Sequence, residues 1–359
     1  MRDQRAPFDA LVFIGRFQPL HNGHVAVMRE ALAAAPRLVV LVGSANVARS
    51  PRNPFTYDER KAMIEACAAD GLSGDAAGRL IVRPLADVAY NDQAWLAEAQ
   101  RQVTRALREA GVEAPRIGLI GHAKDGTGYY LKLFPEWGSL DVVSRPMLNA
   151  TDLRLDYLRP AARMPSEHLC PPATIDFLAR FMQGEAFRWL VEEAQFYADY
   201  KARWGATPYP VFINCVDAVV VQSGHILLVE RAHRPGKGLL ALPGGHVDPG
   251  ERFRDAAIRE LKEETRISDG RGEIPPGMLG SFVVDDKTRL FDDPHRSERG
   301  RVVTQAFLFE LPARKQLFTV RGDDDASSAR WHELGSLRAD AFFEDHAAII
   351  REMTGATLE

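Results

Sequence analysis

The sequence predicts an α/β chain of two domains: a doubly wound parallel sheet, then an α+β domain with a mixed sheet. Three observations carry that prediction. At 359 residues the chain exceeds what one hydrophobic core usually organises. Residues 10–150 alternate short apolar, β-rich runs with longer helical stretches, the pattern of parallel strands joined by crossover helices. From Val211 onward the texture changes to strand-like runs around a single strongly helical segment.

The elements follow in order. "LVFIG", "RLVVLVG", "RLIVRPL", "RIGLIG" and "LDVVS" read as strands of the first domain, and "VAVMREALAAA", "DERKAMIEACAAD" and "QAWLAEAQRQVTRALREAG" as its helices. Between 174 and 204 the aromatic-rich stretch reads as one or two amphipathic helices whose aromatic stripe is a packing surface. "GATPYP" breaks that pattern. "VFINCVDAVVVQSGHILLVER", "MLGSFVVDD" and "RVVTQAFLFEL" then read as strands. The expected domains are therefore 1–185 and 207–359, with a helical join over 186–206.

Composition narrows the function classes. With 46% hydrophobic and 26% charged residues the chain is globular in type, and a formal net charge of −4 supplies no global field for nucleic acid or anionic lipid. Phosphate binding, if present, has to be local. The N-terminal "MRDQRAPFDALVF" lacks the form of a signal peptide, and no run of 18 apolar residues is present to span a bilayer, so a cytoplasmic protein without a membrane partner is expected. The three cysteines, Cys67, Cys170 and Cys215, have no clustered spacing, which fits a reducing compartment. An oligomer is compatible with this sequence.

"GRFQPLHNGH", residues 15–24, stands where a buried strand hands over to a helix. A helix N-terminus presents unpaired N–H groups and the positive end of its dipole, which suit a phosphate. Gly15 and Gly23 would admit close approach of a ligand, Pro19 would stiffen the loop, and His21 and His24 would add donors. The alternative is that glycine and proline merely punctuate the loop and the histidines make local hydrogen bonds.

A second cluster lies in "GGHVDPGERFRDAAIRELKEETRI". Glu260, Glu263 and Glu264 share one face of the expected helix, and the sequence places no cation on that face. Like charges at this spacing are mutually destabilising, and a bound divalent cation would reverse the cost. Oxygen ligands suit Mg²⁺ or Mn²⁺, which also lowers the pKa of a coordinated water. A solvated acidic face is the plainer reading.

These segments carry two family resemblances. "GRFQPLHNGH" resembles the GxFxPxHxGH signature of nucleotidyltransferases. With "NPFTYDERKAMI", "YNDQAW", "GHAKDGTGYYLKLFPEW" and "TDLR", the first domain resembles nicotinamide mononucleotide (NMN) adenylyltransferases. That resemblance implies a Rossmann-like domain in which His21, His24 and Arg154 act on ATP phosphates, with Gly15, Arg16, Phe17, Lys124, Asp125 and Thr151 as further substrate contacts and Trp95 stacking on nicotinamide. Asn149 and Ala150 depart from relatives that often carry serine there.

"GGHVDPGERFRDAAIRELKEETRI" is similar to the Nudix box, Gx5Ex7REUxEExGU, with one departure at Arg266 where glycine is usual. The similarity implies an α+β Nudix fold with Glu260, Glu263 and Glu264 as ligands of Mg²⁺ or Mn²⁺, supported by Gly245, Glu251 and Arg259. Arg296, Arg299 and Arg301 are candidates for gripping substrate phosphates, and Glu298 for the water-activating base. Fused to an NMN adenylyltransferase, such a domain resembles those that hydrolyse ADP-ribose. The implied small-molecule partners are ATP, NMN and ADP-ribose, with no nucleic acid. Action on NAD(H) or capped RNA, and a role as an ADP-ribose sensor, are the alternatives for the second domain.

Overall fold

The computed structural model describes residues 7–70, 72, 76–121, 133–142 and 148–358. It folds as two units, Met1–Ala194 and Gln195–Glu359.

The first unit runs β1 (Ala10–Gly15), α1 (Asn22–Ala34), β2 (Leu38–Val42), α2 (Tyr57–Ala69), α3 (Ala76–Arg79), β3 (Leu80–Pro84), α4 (Asp92–Glu109), β4 (Ile117–Gly121), β5 (Gly138–Asp141), α5 (Ala150–Tyr157) and α6 (Pro172–Phe181). Its five strands are all parallel, in the order β3-β2-β1-β4-β5. Strand order runs outward from β1 in both directions, to β2 and β3 on one side and to β4 and β5 on the other, and ligands of open parallel sheets bind beyond the carboxyl ends of strands at such a switch point. β1 and β2 are buried along nearly their whole length because helices cover both faces, which is why both read as continuous apolar runs. One core contains Leu11, Phe13, Met28 and Leu32 under α1; the other contains Val12, Ala99 and Val103 under α4.

α7 (Glu185–Arg203) spans the division between units. Its Phe187 and Leu190 lie in the core of the first unit, whereas its Tyr200 packs on Ile213 and Val302 of the second. The expected join over 186–206 is thus most of one continuous helix.

The second unit continues with β6 (Phe212–Gln222), β7 (His225–Arg231), β8 (Leu240–Ala241), β9 (Gly244–His246), α8 (Phe253–Thr265), α9 (Pro276–Gly280), β10 (Val283–Phe291), β11 (Arg301–Glu310), β12 (Ala326–Glu333) and α10 (His346–Thr354). The sheet is mixed: β6 and β11 are parallel, and the remaining pairs are antiparallel. Its core holds Val216, Val220 and Phe309 with Ala257 and Leu261, residues that put one face of α8 against the sheet and leave the acidic face outward.

Candidate functional sites

In the first unit, β1 ends at Gly15 and the chain turns through Phe17, which adopts a left-handed conformation at φ 52°. That turn buries the Phe17 ring against Phe13, and an added Cβ at Gly15 would lie 3.0 Å from it. Gln18 fixes the next step: its side chain donates to the Phe55 carbonyl and accepts from the Phe55 N–H.

His21 is the N-cap of α1. Its Nδ1 accepts from the His24 N–H at 3.4 Å, while the His24 Nδ1 accepts from the His21 N–H at 3.3 Å. The rings stack with centroids 3.6 Å apart. With Nδ1 serving as acceptor in both rings, the neutral tautomer carries its proton on Nε2. Burial pushes the His21 pKa down to about 4, so this ring is neutral at physiological pH. Gly23 is required by this packing, since a Cβ there would meet the His21 ring at 3.0 Å.

Arg154 is brought to the same loop: its Nη1 donates to the Gln18 carbonyl at 2.7 Å and its Nη2 to Thr151 Oγ1 at 3.1 Å. Asn149, where relatives often carry serine, caps α5 by accepting from the Thr151 N–H. Arg16 donates to Asn53 at 3.5 Å. Trp95 stands half-buried in the first turn of α4, its ring 6.4 Å from Phe134. Lys124 and Asp125 lie outside the described residues.

Sequence reasoning missed Arg60. It is 1% exposed and donates to four carbonyls, those of Arg16, Gly43, Ser44 and Thr56, so it fixes the ends of β1 and β2 from below. A charged residue recurring on the apolar face of α2 was the available signal.

In the second unit, α8 brings Arg259 into the carboxylates. Its Nε and Nη2 hold Glu251 in a bidentate pair at 3.0 and 2.9 Å, and its Nη1 reaches Glu260 at 2.9 Å and Glu263 at 3.0 Å. This corrects the expectation of an acidic face without an intervening cation: the guanidinium sits among three of the four glutamates. Glu264 points the other way, buried, and accepts from the Gly244 N–H at 3.0 Å. Among the described residues, no three carboxylate, imidazole or thiol groups converge as a metal shell as they stand. Burial raises the Glu264 pKa to about 8 and also raises that of Glu260, whereas the Arg259 hydrogen bond lowers that of Glu251. Gly245 lies against the cluster, since a Cβ there would fall 2.4 Å from Glu260 Oε1. The donors of Glu260, Glu263 and Glu264 are all carboxylate oxygens on one helix, a set whose chemistry fits a hard divalent cation.

Arg266 ends α8 in the left-handed conformation at φ 42°, the role usually filled by glycine, and its Nε pairs with Asp323 at 2.8 Å.

The arginines of the "HRSERGR" segment have protein partners in this structure. Arg296 is buried in a bidentate pair with Asp345 at 2.9 and 2.7 Å, and Arg299 pairs with Glu344 and lies over the Phe343 ring. Arg301 donates to the Asp292 carbonyl and lies over Phe212. Arg296 and Arg299 are held by acidic partners more than 40 residues away, and these pairs tie the loop before β11 to the start of α10. Glu298 stands half-buried in the same loop.

Comparison with known proteins agrees with both halves. The NUDIX domain profile matches residues 212–353 and the Cytidylyltransferase-like profile residues 12–124. A nicotinamide/nicotinic acid mononucleotide adenylyltransferase of Acinetobacter baylyi is 37% identical over 52% of this chain and 93% of its own. An ADP-ribose pyrophosphatase of Methanocaldococcus jannaschii is 34% identical over 38% of this chain and 70% of its own. A crystal structure from Francisella tularensis, described as a bifunctional NMN adenylyltransferase/ADP ribose pyrophosphatase complexed with AMP and a Mn ion, superposes with a TM-score of 0.86. It is 32% identical and the match covers 96% of this chain and 97% of that one.

Proposed function

The chain belongs to the family of bifunctional NMN adenylyltransferase/ADP-ribose pyrophosphatases, and from that premise we propose which residues perform each reaction. In the first, the 5′-phosphate of NMN displaces pyrophosphate from the α-phosphorus of ATP, giving NAD. In the second, water enters at one phosphorus of ADP-ribose and the bridging oxygen leaves with the other, giving AMP and ribose 5-phosphate. The observation that carries this reading is that one chain holds two separate sets, His21/His24 with Arg154 as donors suited to phosphates, and the α8 carboxylates, ordered by Arg259, as oxygen ligands suited to a divalent cation.

The first reaction needs little acid–base help, because a phosphate monoester with a second pKa near 6 is already a nucleophilic dianion at neutral pH. The task is to align two anions and stabilise charge developing on the bridging and leaving oxygens. His21 and His24 present Nε2–H donors beside the N-terminus of α1, and Arg154 adds a positive charge tied to the same loop. Arg60 keeps the loop in place. Trp95 supplies an aromatic surface for the nicotinamide ring.

For the second reaction Glu260, Glu263 and Glu264 would hold Mg²⁺ or Mn²⁺. Such an ion contributes Lewis-acid stabilisation of the diphosphate and a lowered pKa for the attacking water. Arg259 holds Glu251, Glu260 and Glu263 in a fixed arrangement, and the Gly244 N–H orients Glu264.

The test is product identification by chromatography after incubating the purified protein with NMN, ATP and Mg²⁺, and separately with ADP-ribose and Mg²⁺. NAD with pyrophosphate, and AMP with ribose 5-phosphate, are expected. Failure of either pair removes that half of the proposal, and NAD(H) added as a second hydrolase substrate separates the nearest alternative.

A further inference from the structure

The buried Glu264 carboxylate accepts from the Gly244 N–H at 3.0 Å, so whatever sets Gly244 also sets that carboxylate. Residues 240–246 cross from one strand to another: Leu240 and Ala241 pair with β7, and Gly244 to His246 pair with β6. Gly244 runs so close to β6 that an added Cβ would lie 2.2 Å from the Val216 carbonyl oxygen. At the crossing the Ala218 N–H donates to the Pro243 carbonyl at 2.8 Å. On the other side of Pro243, the buried Leu242 N–H donates to His346 Nδ1 at 2.9 Å.

His346 is the first residue of α10 and is itself buried. Burial lowers its pKa, which leaves the ring neutral at physiological pH, with Nδ1 as acceptor and the proton on Nε2. The segment that carries it is docked alongside the crossing. Phe342 bridges Leu240 in parallel register, and the Phe343 N–H donates to the Leu240 carbonyl at 2.9 Å. Arg296 and Arg299 anchor the same segment through Asp345 and Glu344, the two residues before the histidine. The imidazole is thus a fixed point against the chain, two residues from the N–H that holds Glu264. Pro243 lies between them, and its ring restricts φ to about −65°, which makes the link stiff.

We propose that His346 is a positioning residue for the hydrolytic site: by accepting from Leu242 it fixes the Gly244 N–H, and through it the Glu264 carboxylate, in the place where a divalent cation is held. This rests on the assignment of Glu264 as a metal ligand. An apolar side chain at 346 would fill the core but leave a buried N–H without its acceptor, and the crossing would have to shift to pair it. Outer groups that orient the ligands of a metal change its affinity on the order of ten- to hundredfold when removed.

The test is a titration of the full-length protein with Mn²⁺ alone, followed by the paramagnetic resonance of the free ion, with the site identified as the binding lost in Glu264→Gln. His346→Leu should bind Mn²⁺ on the order of ten- to hundredfold more weakly. His346→Asn, whose amide oxygen can stand where Nδ1 does, should bind it nearly as the wild type does. The Mg²⁺ concentration for half-maximal hydrolysis of ADP-ribose should rise in step in His346→Leu, while KM for ADP-ribose at saturating Mg²⁺ and NAD synthesis stay at wild-type levels. If His346→Leu does not fold, His346→Gln replaces it, since that side chain keeps its polarity but carries the acceptor one carbon further out, and the same weakening is expected. Wild-type Mn²⁺ affinity in a folded variant without the acceptor would overturn the positioning role and leave the ligand assignment standing. Undiminished Mn²⁺ binding in Glu264→Gln would overturn the ligand assignment, and the positioning role with it.

Discussion

His21 and His24 cap one another, each ring nitrogen Nδ1 accepting the other's backbone N–H, with the imidazoles stacked 3.6 Å apart. The capping role leaves room for the proposed ligand-binding role, because spending Nδ1 on the backbone leaves Nε2–H as the donor on both rings. On the proposed assignment, His24→Ala removes one such donor from the place where charge develops in the transition state. Loss of one comparable donor costs about 10²–10³ in rate, and NAD synthesis should fall by that much in His24→Ala and in Arg154→Ala while both remain folded by circular dichroism. Near-wild-type turnover in either would remove the donor argument.

The same cap predicts a pH effect on stability. The folded His21 pKa, about 4, lies below the ordinary 6.5, so the folded state favours the neutral ring. Its contribution is fully present above pH 6.5 and declines as pH falls from 6.5 toward 4, where the unfolded chain binds a proton that the folded chain refuses. At about 1.4 kcal/mol per pKa unit the loss is of order 3 kcal/mol. Urea unfolding of the wild type between pH 7 and 4 should show this decline, and His21→Asn, which keeps a capping side chain, should flatten it. Parallel slopes for the two proteins would mean that the ring titrates normally.

Trp95 is half-buried beside Phe134, so the aromatic neighbour alone does not decide between packing and ligand stacking. Stacking on nicotinamide predicts that Trp95→Ala weakens NMN by roughly 1–3 kcal/mol while changing ATP little. Separate KM measurements for the two substrates check it. An equal effect on both, or loss of folded protein, would assign the ring to the core.

Arg266 offers a measurement of the helix end alone. A left-handed L-residue costs roughly 1–2 kcal/mol, and the solvent-screened pair with Asp323 offsets only part of that. Arg266→Gly removes the strain and the pair together, so its stability should stay within about 1 kcal/mol of wild type. Arg266→Ala keeps the strain and loses the pair, and should be the least stable of the three. Hydrolysis should be unaffected in either variant, and denaturant midpoints give the order.

The parts of this molecule legible in sequence are those set by short-range rules. The strand–loop–helix junction at 15–24 and the glutamate spacing on α8 depend on neighbours within a few residues, so both stand where pattern reasoning puts them. What sequence hides is the partner at long range. Arg296 and Arg299 read as free cations because Asp345 and Glu344 lie more than 40 residues downstream. Arg60 reads as a surface charge because the carbonyls it binds come from the ends of two other elements. Arg259 is an intermediate case: its neighbours on the helix were visible, but the bidentate hold on Glu251 requires the loop before α8 to fold back, and that depends on β9 pairing with β6.

The two donor sets lie in different units, which makes their independence testable. Glu264 is buried on the Gly244 N–H, and Glu263 is held by Arg259; neither belongs to the unit that carries His21 and His24. Glu263→Gln and Glu264→Gln keep side-chain size but remove negative charge from the proposed ligand set, so hydrolysis of ADP-ribose should fall by orders of magnitude. NAD synthesis should be unchanged. His24→Ala should show the opposite pattern. Residues 195–359 contain their own sheet, α8 and a closed hydrophobic core, and a fragment of that length should fold and hydrolyse ADP-ribose unaided. Both activities are measured on each variant and fragment. If Glu263→Gln also abolished NAD synthesis, the reactions would share a site or be coupled, and the assignment of one reaction to each unit would fail.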